Sequence, residues 1–68
     1  MTATILVNGE PARHRPGLTV TELLESRGLQ SMSVAVALNG AVVHREEWAG
    51  TVVPSGGEVE ILTPMQGG

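Results

Sequence analysis

The chain has 68 residues, a net charge of −3 and a pI near 5.1, with four arginines, no lysine and no cysteine. This length allows one domain, and a hydrophobic fraction of 41% argues against disorder. With no cysteine and only two widely separated histidines, a disulfide framework and a structural zinc site are disfavoured. No apolar run reaches membrane-spanning length and the N-terminus lacks a signal-peptide pattern, so we expect a cytoplasmic protein with no membrane partner.

The first segment predicts a β-hairpin. Residues 2–8 are rich in β-branched side chains and end at Asn8-Gly9, a pair that tolerates the positive φ of a tight turn. Residues 10–15 form the return strand, and Pro11 places it at a sheet edge because proline cannot donate a ladder hydrogen bond. The basic spot Arg13-His14-Arg15 is interpreted as part of a solvated strand, since nucleic-acid binding needs more cations and stacking aromatics.

The next segment predicts a short helix over about residues 20–27. Thr19 is a favourable N-cap residue, and Glu22 three positions later completes a capping box. Gly28 follows in the left-handed conformation that often ends a helix, and Leu29 can pack back on it. The apolar face of this helix consists of Val20, Leu23 and Leu24.

A second hairpin follows the helix. Its strands lie at 34–38 and 41–44, around the turn Asn39-Gly40. Val34, Val36 and Leu38 face one way and two alanines face the other, a near-continuous apolar run that predicts a strand buried on both faces.

The last third of the chain predicts a helical turn and a final strand. The turn spans 45–50, where Trp48 is interpreted as a lid on the edge of the core. Residues 54–57 reverse the chain, and 58–63 alternate, with Val59 and Ile61 on one face and Glu58 and Glu60 on the other. One helix cannot cover both faces of a sheet, so we expect an α+β fold: a mixed sheet of about five strands with one main helix across one face.

Residues 1–63 are predicted to form the domain and residues 64–68 a flexible tail, because Pro64 discourages further regular structure. A terminal Gly-Gly offers one functional group, the α-carboxylate of Gly68, which can attack ATP and become an acyl-adenylate. Glycine suits a segment that threads a narrow channel, since a Cβ would clash where two backbones approach closely. The sequence contains no plausible catalytic triad, so we expect a co-substrate of partner enzymes and not an enzyme.

Five pieces of sequence, in this order, resemble the ThiS family of sulfur carriers in thiamine biosynthesis: VNG, LTVTELLE, VAVALNG, VVHREEWA and GGEVEILTPMQGG. The resemblance covers nearly the whole chain and implies a ubiquitin-like β-grasp fold. It also implies that Gly68 is adenylated and then converted to a thiocarboxylate, with Gly67 and Gln66 forming the threaded end of the tail.

The same resemblance implies three partners. A ThiF-like, E1-like adenylyltransferase would use Mg-ATP on Gly68, a persulfide donor would supply the sulfur, and a ThiG-like thiazole synthase would receive it. No cofactor or metal is expected to bind the chain itself, and no nucleic-acid partner is expected.

The partner surface is expected near the last strand. Leu62, Pro64 and Met65 are hypothesised to border an exposed apolar patch, because Leu62 lies opposite the Val59 and Ile61 face. Glu58 and Glu60 are candidates for pairing with arginines of a partner. Two alternatives stay open: Leu62 as a core residue on the second face of the sheet, and the glutamates as solubilising residues.

Three other functions fit the sequence. A carrier with the same chemistry could serve molybdopterin or cysteine synthesis, although such chains tend to be longer. A ubiquitin-like modifier would be conjugated to target lysines through Gly68. A plain β-grasp interaction module would not need its last two glycines.

Overall fold

The computed structural model describes residues 4–29 and 33–63 of the chain. Two hairpins, one helix and a final strand follow each other in the predicted order, and the predicted turn at 45–50 is a 3₁₀ helix. Residues 2 and 3 of the predicted first strand lie outside the described ranges. The elements are β1 (Thr4–Val7), β2 (Glu10–Arg13), α1 (Val20–Ser26), β3 (Ala35–Leu38), β4 (Ala41–Val43), the 3₁₀ helix (Arg45–Gly50) and β5 (Glu58–Leu62).

The five strands form one mixed sheet in the order β2-β1-β5-β3-β4. The two hairpins supply antiparallel pairs, β5 pairs antiparallel with β3, and β5 pairs parallel with β1. β5, the last of the described strands, is therefore the central strand of the sheet. Pro11 lies in β2, an edge strand, as its missing N–H group predicts.

The core lies between α1 and one face of the sheet. The predicted apolar face of the helix is buried, and in β5 the predicted inward residues are buried while both glutamates are exposed. Burying this set of apolar side chains is the main force that holds the fold together. The core residues are Ile5, Val7, Leu18, Val20, Leu23, Leu24, Val36, Val43, Trp48, Val53, Val59 and Ile61.

The start of α1 has the predicted capping box. The Thr19 hydroxyl accepts a hydrogen bond from the Glu22 N–H, and a Glu22 carboxylate oxygen accepts one from the Thr19 N–H, both at 3.1 Å. Two N–H groups that the first turn of a helix leaves unpaired are thereby satisfied.

The end of α1 is a Schellman motif. Gly28 has φ 71°, and the N–H groups of Gly28 and Leu29 donate to the carbonyls of Glu25 and Leu24. Leu29 packs against the core, as predicted. The helix itself ends at Ser26, so the residue predicted as its last one, Arg27, is the C-cap.

Trp48 belongs to the core and is more deeply placed than a lid on its edge. The residue is 5% exposed, and its Nε1–H donates to the Val43 carbonyl at 3.0 Å. The Arg45 guanidinium lies 4.9 Å from the centroid of the ring, in cation–π geometry. The 3₁₀ helix thus closes one end of the core and presents an arginine outside it.

The prediction that β3 is buried on both faces is wrong. Val36 is buried, and Val34 and Leu38 pack partly buried against the core, but Ala35 is exposed. The reason is that α1 covers one face of the sheet, and no other described element covers the opposite face.

Neither helix in the described ranges is long and apolar enough to cross a membrane.

Candidate functional site

The strand that precedes the predicted tail is held from both sides. β5 ends at Leu62, and its neighbours β1 and β3 pair with it along both edges. A central strand is the most constrained position in a sheet, because both of its edges are hydrogen-bonded. The segment that leads to residues 64–68 therefore starts from a fixed support.

Asn8 extends the pairing of β5 beyond the end of β1. Its φ is 53°, as the tight turn requires, and its N–H donates to the Val59 carbonyl at 2.8 Å. Its Oδ1 accepts from the Ile61 N–H at 2.7 Å, and its Nδ2 donates to the Ile61 carbonyl at 3.2 Å. The side chain of Asn8 thus takes the place of a strand residue beside β5.

Asn39 has the matching role at the other edge. Its φ is 52°, its N–H donates to the Glu58 carbonyl at 2.7 Å, and its Oδ1 accepts from the Glu58 N–H at 2.8 Å. The sequence predicted only turn roles for both asparagines. For Asn8 the carboxamide carried a further signal, because glycine and aspartate also suit such turns but their side chains cannot both donate and accept.

The predicted docking residues of β5 share the uncovered face of the sheet. Leu62 is 65% exposed, so its alternative assignment to a second core is wrong, and Glu58 and Glu60 are exposed on the same face. In the register of the sheet, Leu62 lies beside Ala35 and Glu60 beside Ala37. The cross-strand neighbour of Ala37 in β4 is Val42, which is 67% exposed.

These residues form a shallow depression of about 140 Å³, called here the outer-face patch. It is lined by Ala35, Val36, Ala37, Val42, Glu60 and Leu62. Sequence reasoning missed Val42, although its position after the Asn39-Gly40 turn and the alternation of β4 place it opposite the buried Val43. The other predicted site residues, Pro64, Met65, Gln66, Gly67 and Gly68, lie outside the described residues.

A second concave surface lies between the end of β2 and α1, with a volume of about 460 Å³. We call it the arginine groove; it is lined by Ala12, Arg13, His14, Arg15, Leu18, Leu23, Ser26 and Arg27. The interpretation of residues 13–15 as simply solvated is wrong for His14. Its ring is partly buried, and Nε2–H donates to the Val53 carbonyl at 2.7 Å.

One carboxylate at the edge of this groove is stabilised in its ionised form. The backbone N–H of Thr19 and then the Arg15 guanidinium, 3.1 Å away, hold the pKa of Glu22 below its ordinary value. Glu22 therefore links the N-cap of α1 to Arg15.

In the described ranges, no three histidine, aspartate or glutamate side chains are grouped to hold a metal ion.

Two antiparallel hairpins with β5 between them, parallel to β1, and one helix across one face define a ubiquitin-like β-grasp protein. The ThiS family model matches residues 5–68, so the chain belongs to the ThiS family. It is 34% identical over 64 residues to the sulfur carrier protein ThiS of Escherichia coli K12, covering 94% of this chain and 97% of that protein. The crystal structure of the thiamine biosynthesis protein ThiS from Geobacter metallireducens is 41% identical, with a TM-score of 0.78 over 96% of this chain and 99% of that one.

Proposed function

We propose that this protein is a sulfur carrier in thiamine biosynthesis and that the carboxylate of Gly68 carries the sulfur. The observation that supports this most strongly is the family match, which runs through the last strand and includes both terminal glycines. Nearly full coverage of the Escherichia coli sulfur carrier at 34% identity adds to it. The chain acts as a co-substrate that partner enzymes modify and return.

The proposed cycle starts with the Gly68 carboxylate, which attacks the α-phosphate of Mg-ATP on an E1-like, ThiF-like adenylyltransferase and releases pyrophosphate. The terminal sulfur of a cysteine persulfide then attacks the acyl-adenylate carbonyl and displaces AMP. A second thiol cleaves the resulting sulfur–sulfur bond, which leaves a thiocarboxylate on Gly68 and a disulfide on the donor. A ThiG-like thiazole synthase transfers the sulfur to its substrate, and an oxygen from the substrate or from water takes the place of the sulfur, which regenerates the carboxylate.

The outer-face patch is the proposed docking surface for these enzymes. It combines exposed apolar side chains, Val42 and Leu62, with the carboxylate of Glu60 at its border. An apolar centre with a charged rim is the usual anatomy of a protein interface. Because Leu62 ends β5, an enzyme bound there would lie close to the point where the chain leaves the sheet. Pro64 and Met65 are proposed to extend the apolar surface, and Glu58 to add to the acidic rim.

Reconstitution of sulfur transfer tests the proposed function. The protein is incubated with an E1-like adenylyltransferase, Mg-ATP and a persulfide donor, and then treated with a thiol-alkylating reagent. Because the chain has no cysteine, an alkylated species whose fragment spectrum places the label on Gly68 is a thiocarboxylate. Alkylation is needed because the mass gained on exchange of oxygen for sulfur nearly equals that of one methionine oxidation.

The matched control is the chain without residues 67 and 68, which retains every residue of the described structure. We expect it to melt at the same temperature as the full chain and to gain no label. A full chain that stays unlabelled with active partners, or a truncated chain that is labelled equally, would contradict the proposal. Thiazole synthase added before the alkylating reagent should then convert the thiocarboxylate back to the carboxylate, so that the chain is no longer alkylated.

A further inference from the structure

The charges of the protein are segregated around the arginine groove. Its lining includes Arg13, Arg15 and Arg27, three of the four arginines in the chain, and no carboxylate. The rest of the chain holds one arginine and all seven glutamates. With Arg15 paired to Glu22 at the edge of the groove, Arg13 and Arg27 still give this concave surface the sign opposite to the net charge of −3. Such a local field attracts anionic groups despite the overall charge.

Two of these arginines have unused hydrogen-bonding capacity. Arg15 is paired with Glu22, the carboxylate of the capping box. Arg13 and Arg27 are exposed, and neither guanidinium has an ion-pair or hydrogen-bond partner within residues 4–29 and 33–63. Each guanidinium can form a bidentate pair with a carboxylate.

The floor between the arginines is apolar. Leu18 and Leu23 are core residues whose surfaces line the groove, and Ala12 packs partly buried against the same core. A free inorganic anion would gain nothing from such a floor, because apolar surface offers it no hydrogen bond. The groove also has no tryptophan, tyrosine or phenylalanine on which a nucleobase could stack, and its one imidazole, that of His14, is partly buried and hydrogen-bonded to the Val53 carbonyl.

We propose that the arginine groove binds an acidic segment of a partner protein, in which glutamate or aspartate residues flank an apolar side chain. The carboxylates would pair with Arg13 and Arg27, and the apolar side chain would lie on Leu18 and Leu23. The groove and the outer-face patch share no residue. The inference therefore adds a second interaction surface, and binding there requires no chemistry at the tail.

Amide chemical shifts of the isotope-labelled full chain, titrated with the blocked peptide Glu-Leu-Glu-Glu-Leu-Glu, test this proposal. We expect saturable shifts at residues 12–15 and 23–27, with affinity that falls as salt is raised. R13Q and R27Q should each weaken binding about two- to fivefold, the range for an exposed ion pair. The matched control is R45Q, which removes the same charge outside the groove and should bind like the parent protein.

Every other outcome overturns the proposal. If the chemical shifts do not saturate at millimolar peptide, or if the shift changes centre on Val42 and Leu62, the groove does not bind the acidic peptide. Equal binding of the peptide with glutamine at each glutamate position would show that charge is not recognised. Equal shifts with inorganic phosphate alone would show a simple anion site. Melting curves of all variants establish that each is folded, and because no adenylation or sulfur transfer is involved, the result is independent of the proposed function.

Discussion

The carboxamide of Asn8 hydrogen-bonds both backbone groups of Ile61, a residue 53 positions further along the chain. Asn8 belongs to the turn of the first hairpin, whereas Ile61 lies in the central strand that precedes the predicted tail. One side chain therefore performs two tasks. It sets the left-handed backbone of a tight turn, and it prolongs the parallel pairing of β1 with β5 past the end of β1.

Replacement of Asn8 by alanine should destabilise the protein by about 2–5 kcal/mol. About 1–3 kcal/mol comes from leaving the Ile61 N–H and carbonyl without partners, and about 1–2 kcal/mol from the cost of a Cβ at φ 53° when no side chain compensates it. Urea unfolding followed by circular dichroism measures the change in the free energy of unfolding.

Two further variants separate these contributions. N8G keeps the freedom to adopt positive φ and loses the side chain, so it should be more stable than N8A. N8D keeps the oxygen that accepts from the Ile61 N–H and loses the group that donates to the Ile61 carbonyl, so it should fall between N8G and the parent protein. Identical stability of N8G and the parent protein would show that the pairing with Ile61 contributes nothing.

Replacement of Trp48 by phenylalanine should cost about 1–3 kcal/mol of unfolding free energy, because it removes the buried donor to the Val43 carbonyl. R45Q removes the cation above the same ring without opening the core, so we expect a loss of at most about 1 kcal/mol. Urea denaturation of both variants gives the comparison. A larger loss of unfolding free energy for R45Q than for W48F would mean that the contact with Arg45 stabilises the Trp48 ring more than the hydrogen bond to Val43 does.

The variant L62E should fold normally and dock poorly. Leu62 is 65% exposed, so glutamate there should leave the melting temperature nearly unchanged. Loss of the apolar contact, worth about 1.5–3 kcal/mol when a leucine is fully buried, should raise the KM for the carrier in adenylation about tenfold or more, with kcat unchanged. V52E places the same charge on a residue 53% exposed outside the outer-face patch, and should have the parent KM. Equal KM values for the two variants would rule out the patch as the docking surface.

The charge of Glu22 should make stability depend on pH at the acid end. Since its pKa in the folded protein is below the ordinary value of 4.5, the ionised form stabilises the fold. That contribution is fully present above the ordinary pKa and is lost as pH falls through the lowered one. E22Q keeps an oxygen for the capping box but has no charge, so the difference in melting temperature from the parent protein should be largest near neutral pH. It should shrink below about pH 4, and a difference that stays constant through this range would contradict the assignment.

Most of the fold could be predicted because its local signals agree with one another. The turn at Asn8-Gly9, the box formed by Thr19 and Glu22, and the glycine that follows α1 each act over a few residues. The error in β3 has a different origin. A run of small and branched apolar residues fits one-sided and two-sided burial equally well, and the outcome depends on what packs on the second face.

The candidate site was harder to predict because its members come from separate parts of the chain. Alternation alone correctly placed Leu62 on the exposed side of β5. The neighbours of Leu62 depend on strand order, which brings Ala35 and Val42 beside it. The arginine groove likewise joins residues 13–15 to Arg27 through the packing of α1, a contact that no local pattern encodes. The roles assigned to residues 64–68 stay predictions, because these residues lie outside the described ranges.

The position of β5 in the sheet also bears on how the protein is synthesised. Of the described strands, the one synthesised last lies between the two hairpins synthesised earlier, and β1 pairs directly with neither β3 nor β4. While the ribosome still covers residues 58–62, the nascent chain can form local turns and a helix but cannot complete its sheet. Folding must therefore wait for release of this segment. We expect a truncated translation product that stops before residue 58, and so lacks the central strand, to stay open to proteolysis and not to accumulate as a folded protein.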